Sequence, residues 1–168
     1  TLKKDNIGKI SVVSGYKSDV IENSNVLSGL NIIKNKSYNK SGELHSLLCS
    51  LKEVKNDCII SYGDIIFRKY ILDALISTKN NIVIVVDALS TKTDQKRKDL
   101  VLCNRPFTGN YLLEQKPAKL NQICLNSEKC CDFNGQWIGL LKTNSEGSRI
   151  ISKYISLLKR SKNFKSMT

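Results

Sequence analysis

The chain is short of histidine, proline, tryptophan and methionine, with one, two, one and one of each in 168 residues. Each scarcity removes a class of function or architecture. The single histidine, His45, falls on a leucine-striped helical pattern and is expected on its outer side, so no Ser/His/Asp relay is plausible. Two prolines leave no Pro-rich linker, and no internal repeat or low-complexity tract is visible. No apolar run approaches the roughly 18–20 residues needed to span a bilayer. The start, Thr1-Leu2-Lys3-Lys4-Asp5, lacks the apolar region of a secretory signal, and the missing initiator Met reads as a processed, trimmed or partial chain. Six cysteines, at 49, 58, 103, 124, 130 and 131, contain no C-x-x-C pair. Zinc sites need four N or S ligands at tighter spacings, so Cys124, Cys130 and Cys131 are only the nearest approach to a cluster. Free thiols in a reducing cytoplasm fit this usage better than a disulfide framework.

Acidic residues are also scarce, 15 against 27 Lys and Arg, giving a net charge of +12. A basic surface attracts nucleic acid, and it equally attracts free nucleotides and phosphorylated substrates. No arginine cluster or basic stripe with interleaved aromatics occurs, so nucleic acid is the weaker expectation. The tail Lys159-Arg160-Ser161-Lys162-Asn163-Phe164-Lys165 reads as a solvated helix end. What remains is an ordinary globular composition at a length suited to one domain with a sizeable core.

Apolar runs at Ile10–Val13, Leu30–Ile33, Cys58–Ser61 and Ile82–Val86 predict strands, and Lys17–Glu22 a short helix. Leu44, Leu47, Leu48 and Leu51 recur at i, i+3, i+4, i+7 and predict an amphipathic helix over Glu43–Glu53. A further helix is expected over Ile65–Ser77, with Phe67, Tyr70, Ile71, Ala74 and Leu75 inward. The uninterrupted Ile82–Val86 run implies burial on both faces, as in a parallel sheet between helix layers. Strand and helix in alternation then predict a doubly wound α/β core. Ser90–Lys98 reads as a polar loop, and Leu100–Cys103, Gln122–Leu125 and Trp137–Leu141 as strands. A last helix opens at Ser145, with Ile150, Ile151, Tyr154, Ile155, Leu157 and Leu158 expected on its inner face.

Asp64 and Asp87 end two of the predicted strands, at Ile59-Ile60-Ser61-Tyr62-Gly63-Asp64 and Ile84-Val85-Val86-Asp87. If those strands are parallel, both carboxylates open on the same sheet edge, where α/β folds bind ligands. Paired acids there suit a Mg²⁺-nucleotide, because hard cations take carboxylate oxygen and keep several waters. The plainer alternative makes Asp64 the N-cap of a helix starting at Ile65. Asn35, Tyr38, Gly42, Glu43 and Ser46 follow the second strand into the leucine-striped helix. They offer backbone N–H groups to an anion or base edge, or form a polar loop capped by Ser41.

Six segments resemble one family in order and spacing from about residue 7 to 158. They are Val12-Val13-Ser14-Gly15-Tyr16-Lys17, Asn35-x-x-Tyr38, Gly42-Glu43-Leu44-x-Ser46-Leu47, Ser61-Tyr62-Gly63-Asp64-Ile65-x-Phe67-Arg68, Ile84-Val85-Val86-Asp87 and Trp137-Ile138-Gly139-Leu140-Leu141-Lys142. Together they resemble the nucleotidyltransferases of sugar-phosphate and phosphocholine type, most closely the domain fused to phosphoenolpyruvate mutase in phosphonate biosynthesis. The resemblance implies a Rossmann-like, mostly parallel sheet with helices on both faces. One partial domain would fill residues 1–168, with a nucleotide-binding half at 7–87 and an acceptor-binding half at 88–160. It implies transfer of CMP from CTP to a small phosphonate or phosphate monoester, with Mg²⁺ and release of pyrophosphate. By the same resemblance Asp64 holds the metal and Lys17 joins it in catalysis. Gly15, Gly42, Glu43, Ser46, Tyr62 and Gly63 line the nucleotide; Asp87, Gln136, Trp137 and Gly139 border the acceptor.

The chain departs from that family pattern. The family's first strand and Gly-rich triphosphate loop are expected to precede Thr1, a further metal-site acid to follow Thr168, and Gln136 stands where glutamate is usual. Two alternatives therefore stay open: a catalytically inactive nucleotide-binding fragment, and a basic nucleic-acid-binding domain.

Overall fold

A computed structural model describes residues 8–24, 29–88, 99–109, 117–124, 133–160 and 164. The expected Ser90–Lys98 loop, Leu125, Cys130, Cys131 and most of the basic tail lie outside the described residues. The chain divides into two compact units, Thr1–Cys58 with Ser145–Thr168, and Ile59–Asn144.

The first unit opens with strands β1 (Ser11–Ser14) and β2 (Asn31–Lys34), paired in parallel from Ser11 opposite Asn31 to Ser14 opposite Lys34. Helix α1 (Ser18–Glu22) crosses between them, as parallel pairing requires a crossover. Lys34 ties β2 back to α1 through Asp19 and Glu22, both at 2.9 Å. Helix α2 (Glu43–Cys49) follows a short 3₁₀ turn and ends four residues before the leucine stripe predicts. His45 is half-buried against the Phe164 ring, with ring centres 6.3 Å apart, and not on an outer face.

Helix α4 (Ser145–Leu158) starts where the sequence predicts but turns a different face inward. The buried or half-buried line is Ser148, Ile151, Ser152 and Ile155, at i, i+3, i+4, i+7. Tyr154, Leu157 and Leu158 are exposed, which corrects the expected inner face. Six apolar residues cover too much of the helix circumference to fix its rotation. Small Gly147 and Ser148 are buried instead, and Ser148 Oγ donates to the Asn56 carbonyl at 2.8 Å.

The second unit is built on a five-stranded sheet. Its strands are β3 (Cys58–Ser61), β4 (Ile82–Asp87), β5 (Leu100–Cys103), β6 (Leu120–Cys124) and β7 (Gly135–Thr143). β3 and β4 each hydrogen-bond to β7, and β4–β7, β5–β7 and β5–β6 are all antiparallel. The mostly parallel sheet is therefore corrected for this unit. Continuous hydrophobicity in β4 reports burial and carries no information on direction. Among the described residues no helix lies between β4 and β7, so the chain returns by strands and antiparallel pairing results. β4 is itself only half-buried, and Ile82 at its start is exposed.

Helix α3 (Lys69–Ser77) begins four residues later than expected. Ile65, Ile66 and Phe67 are β-branched or aromatic, poor helix formers that stay outside the helix, with Ile66 fully exposed. The face that packs is Leu72 and Leu75, while Tyr70 and Ala74 point outward, contrary to the expected set. The core centres on Leu72, Leu75, Leu100, Val101 and Leu140. Lys142, 9% exposed, sends its ammonium to the carbonyls of Ile76 and Thr78 at 2.9 and 2.6 Å. Those groups end α3 and have no intrahelical donor, so a buried cation satisfies them and ties α3 to β7.

Candidate functional site

The predicted site residues divide between the two units. In the first, Gly15, Lys17, Gly42, Glu43 and Ser46 all lie in the loops that follow β1 and β2 or at the start of α2. Gly15 is fixed by packing: a Cβ there would collide with the Tyr38 side chain. Tyr16 stands edge-on to Tyr38 at 6.4 Å, and the Lys17 ammonium lies 5.4 Å from the Tyr16 ring centre. Lys17 itself adopts a left-handed backbone, φ 48°, to turn the chain from β1 into α1.

Asn35 organises the second loop. It is 2% exposed, and its Nδ2 donates to Ser41 Oγ and Ser46 Oγ, each at 3.1 Å. Its Oδ1 accepts from the Ser37 backbone N–H at 2.9 Å. Ser41 therefore does not cap α2: the N-cap is Gly42, with no side-chain cap bond, and Glu43 is the exposed first helical residue. The sequence placed Asn35 in this loop but gave no sign that it gathers residues six and eleven positions away.

In the second unit, Gly63 and Asp64 form a turn directly after β3, and Asp64 is exposed. The N-cap of α3 is Arg68, so Asp64 does not cap that helix. Tyr62 N–H donates to the Gly139 carbonyl at 2.9 Å, and the Tyr62 ring lies over Gly139, where φ is +79° and no side chain fits. Trp137 completes this corner, 5.5 Å from Tyr62 at 52°, with its indole N–H on the Leu140 carbonyl at 3.2 Å. Asp87 ends β4 directly opposite Gln136. Gln136, Trp137, Gly139 and Tyr62 thus share one stretch of β7 and its neighbours. Asp64 and Asp87 follow or end separate strands that both pair with β7, and both strand ends come to its 136–139 stretch, Asp87 opposite Gln136 and Tyr62 on Gly139.

A small cavity of about 160 Å³ opens beside Asp87, lined by Val86, Cys103, Arg105, Phe107, Ala118 and Asn134 among others. Asp64, Trp137 and Gly139 do not line it. Sequence reading missed Arg105, Phe107 and Asn134; an Arg-Pro-Phe run straight after a strand was the available signal. Asn134 holds β5 as a strand neighbour would, accepting from Cys103 N–H at 2.8 Å and donating to its carbonyl at 3.0 Å. Burial pushes the Cys103 thiol up, and does the same to Cys49 and Cys58. None of these three cysteines is in a disulfide. Cys124 is disulfide-bonded, which corrects the expectation of free thiols throughout.

The ion the resemblance implies is magnesium, which binds through one or two carboxylates together with waters and substrate phosphates. An exposed aspartate on a turn meets that requirement. Among the described residues no three His, Cys, Asp or Glu side chains gather into a cage.

No protein-family model matches the chain. CTP:phosphoglutamine cytidylyltransferase of Campylobacter jejuni is 29% identical over 178 residues, covering 99% of this chain and 68% of that protein. The chain is related to the cytidylyltransferases. That places its relatives among nucleotidyltransferase enzymes. Two solved cytidylyltransferase structures share the fold. CTP:phosphocholine cytidylyltransferase of Streptococcus pneumoniae has a TM-score of 0.59 at 13% identity, and the inositol-1-phosphate CTP transferase of T. maritima 0.66 at 16%. Each covers 99% of this chain, which spans 63% and 60% of their respective lengths. The cytidylyltransferase likeness thus runs through both units. No helix among the described residues is long and apolar enough to cross a membrane.

Proposed function

We propose that this chain is the nucleotide-transfer portion of a cytidylyltransferase, moving CMP from CTP to a small phosphate- or phosphonate-bearing acceptor. The observation that carries this reading is the alignment of 99% of the chain with a CTP-dependent relative. The acceptor oxyanion would attack the α-phosphorus in line. A new P–O bond forms as the bond to the β-phosphate oxygen breaks, and its electron pair leaves with pyrophosphate. Such chemistry needs little covalent help from protein; positioning and charge neutralisation dominate. Magnesium, when bound, would neutralise charge on the α-phosphate and the departing pyrophosphate.

The protein's own groups have distinct tasks under this reading. Asp64 would hold the metal from its exposed turn, and Lys17 would offer an ammonium to phosphate oxygen. Gly15, Gly42, Glu43 and Ser46 would bind base and ribose, and Tyr62 and Gly63 the nucleotide beside the metal. A Cβ at Gly63 would meet nothing within 4 Å, so the backbone there stands open to a ligand. Asp87, Gln136, Trp137 and Gly139 would border the acceptor. The narrower likeness, to a domain working with phosphoenolpyruvate mutase in phosphonate synthesis, rests on the six sequence segments alone, and cytoplasmic location on the cysteine usage.

Titration calorimetry with CTP and Mg²⁺ tests the reading. Saturable CTP binding that needs Mg²⁺ is expected. Indifference to CTP, with DNA or RNA affinity falling steeply as salt rises, would overturn it in favour of a nucleic-acid binder.

A further inference from the structure

The hydrogen bonds around Asn35 have a fixed polarity. The Ser37 backbone N–H can only donate, so the Asn35 atom it meets at 2.9 Å must be the carbonyl oxygen. The amide nitrogen is thereby assigned to the opposite side, and both of its protons are used, one on Ser41 Oγ and one on Ser46 Oγ at 3.1 Å. A serine hydroxyl has one proton and two lone pairs. Each of these hydroxyls spends a lone pair on Asn35, and among the described residues neither proton has another recipient. Both serines are half-buried and open to a ligand, whereas Asn35 is 2% exposed and cannot turn.

From this we infer that Asn35 is a positioning residue that makes Ser41 and Ser46 a pair of hydrogen-bond donors, and that the pair selects cytosine over uracil. Cytosine presents two adjacent acceptors, O2 and N3. Uracil presents O2 but carries a proton at N3, so one of the two hydroxyls would face a donor. The inference rests on the proposed cytidylyltransferase reading, in which Ser46 lies beside the base. It adds the residue that sets the polarity, and a second hydroxyl that the sequence segments did not assign to the nucleotide.

The test compares CTP and UTP binding by calorimetry in the wild-type chain and in Asn35→Asp, Ser41→Ala and Ser46→Ala. Asn35→Asp keeps the acceptor for Ser37 N–H but turns the other atom into an acceptor, drawing both hydroxyl protons inward. The expected result is a CTP-to-UTP preference that falls about tenfold in Asn35→Asp, with UTP affinity changing least; one hydrogen bond of ordinary strength is about that size. A merely structural role would lower both affinities together. If Asn35→Asp does not fold, the serine variants decide, since each removes one donor and should lower the ratio about threefold to tenfold by the same reasoning. An unchanged ratio in the folded variants overturns the inference and leaves the cytidylyltransferase reading standing. A wild-type chain that binds neither nucleotide overturns both.

Discussion

Replacing Gly139 by alanine is the sharpest test of the aromatic corner in the second unit. Gly139 sits in the middle of β7 at φ +79°, and the Tyr62 ring occupies the space a Cβ would need. Two costs combine. An L-residue forced into the left-handed region costs about 1–2 kcal/mol. Overpacking against a ring that also packs on Trp137 adds about 1–3 kcal/mol. Gly139→Ala should therefore destabilise by about 2–5 kcal/mol, a large share of a typical domain's margin. Urea unfolding measures the loss, and intrinsic fluorescence localises it, because Trp137 is the sole tryptophan and contacts Tyr62. Removing the ring separates the two costs. In a Tyr62→Ala background the overpacking disappears and only the backbone cost, about 1–2 kcal/mol, should remain. Gly63→Ala serves as the control, since nothing lies within 4 Å of its Cβ and its φ is not positive; about 0.5 kcal/mol or less is expected. If Gly139→Ala matched that control, with unchanged tryptophan emission, the corner would not be packed as described.

Two further outcomes follow from local chemistry. Lys142→Met should lose about 2 kcal/mol in urea unfolding, because two carbonyls ending α3 lose a buried charged donor; Lys69→Ala, whose partner Asp73 is exposed, should lose about 0.5 kcal/mol or less. Lys9, 2.6 Å from Glu53, holds that carboxyl below the usual glutamate range. The folded state thus binds this proton less readily than the unfolded one. The pair's contribution is present above about pH 4.5 and lost as pH falls through the depressed folded value. Lys9→Ala should return the Glu53 titration, followed by NMR, to the ordinary range.

Local pattern carried most of the fold. β5 and the start of α4 match the sequence reading, and β1 and β2 fall within a residue of it. Strand direction did not, because β4 is equally apolar whether its neighbour runs up or down. Helix rotation failed for a related reason: α4 has more apolar residues than it buries, and the choice fell to Gly147 and Ser148, whose small size lets the backbone come close. At the site, Trp137 and Gly139 were legible together because both lie on β7, but Tyr62, assigned to the nucleotide, gave no sign that its ring packs on both. Nor was Asn35 legible, since its partners at Ser37, Ser41 and Ser46 are fixed by loop geometry that no periodicity encodes. Asp64 shows the converse: the alternatives of cap and ligand were both legible, and only the late start of α3 at Lys69 removes the cap.

The most direct measurement is pyrophosphate release from CTP and a phosphorylated acceptor by the full-length protein and its Asp64→Asn variant, across a magnesium titration. The account predicts Mg²⁺-dependent release by the wild type and a loss of at least a hundredfold in the variant, about 2.7 kcal/mol of transition-state stabilisation, with folding intact. Release that proceeds equally well without the Asp64 carboxylate would contradict it.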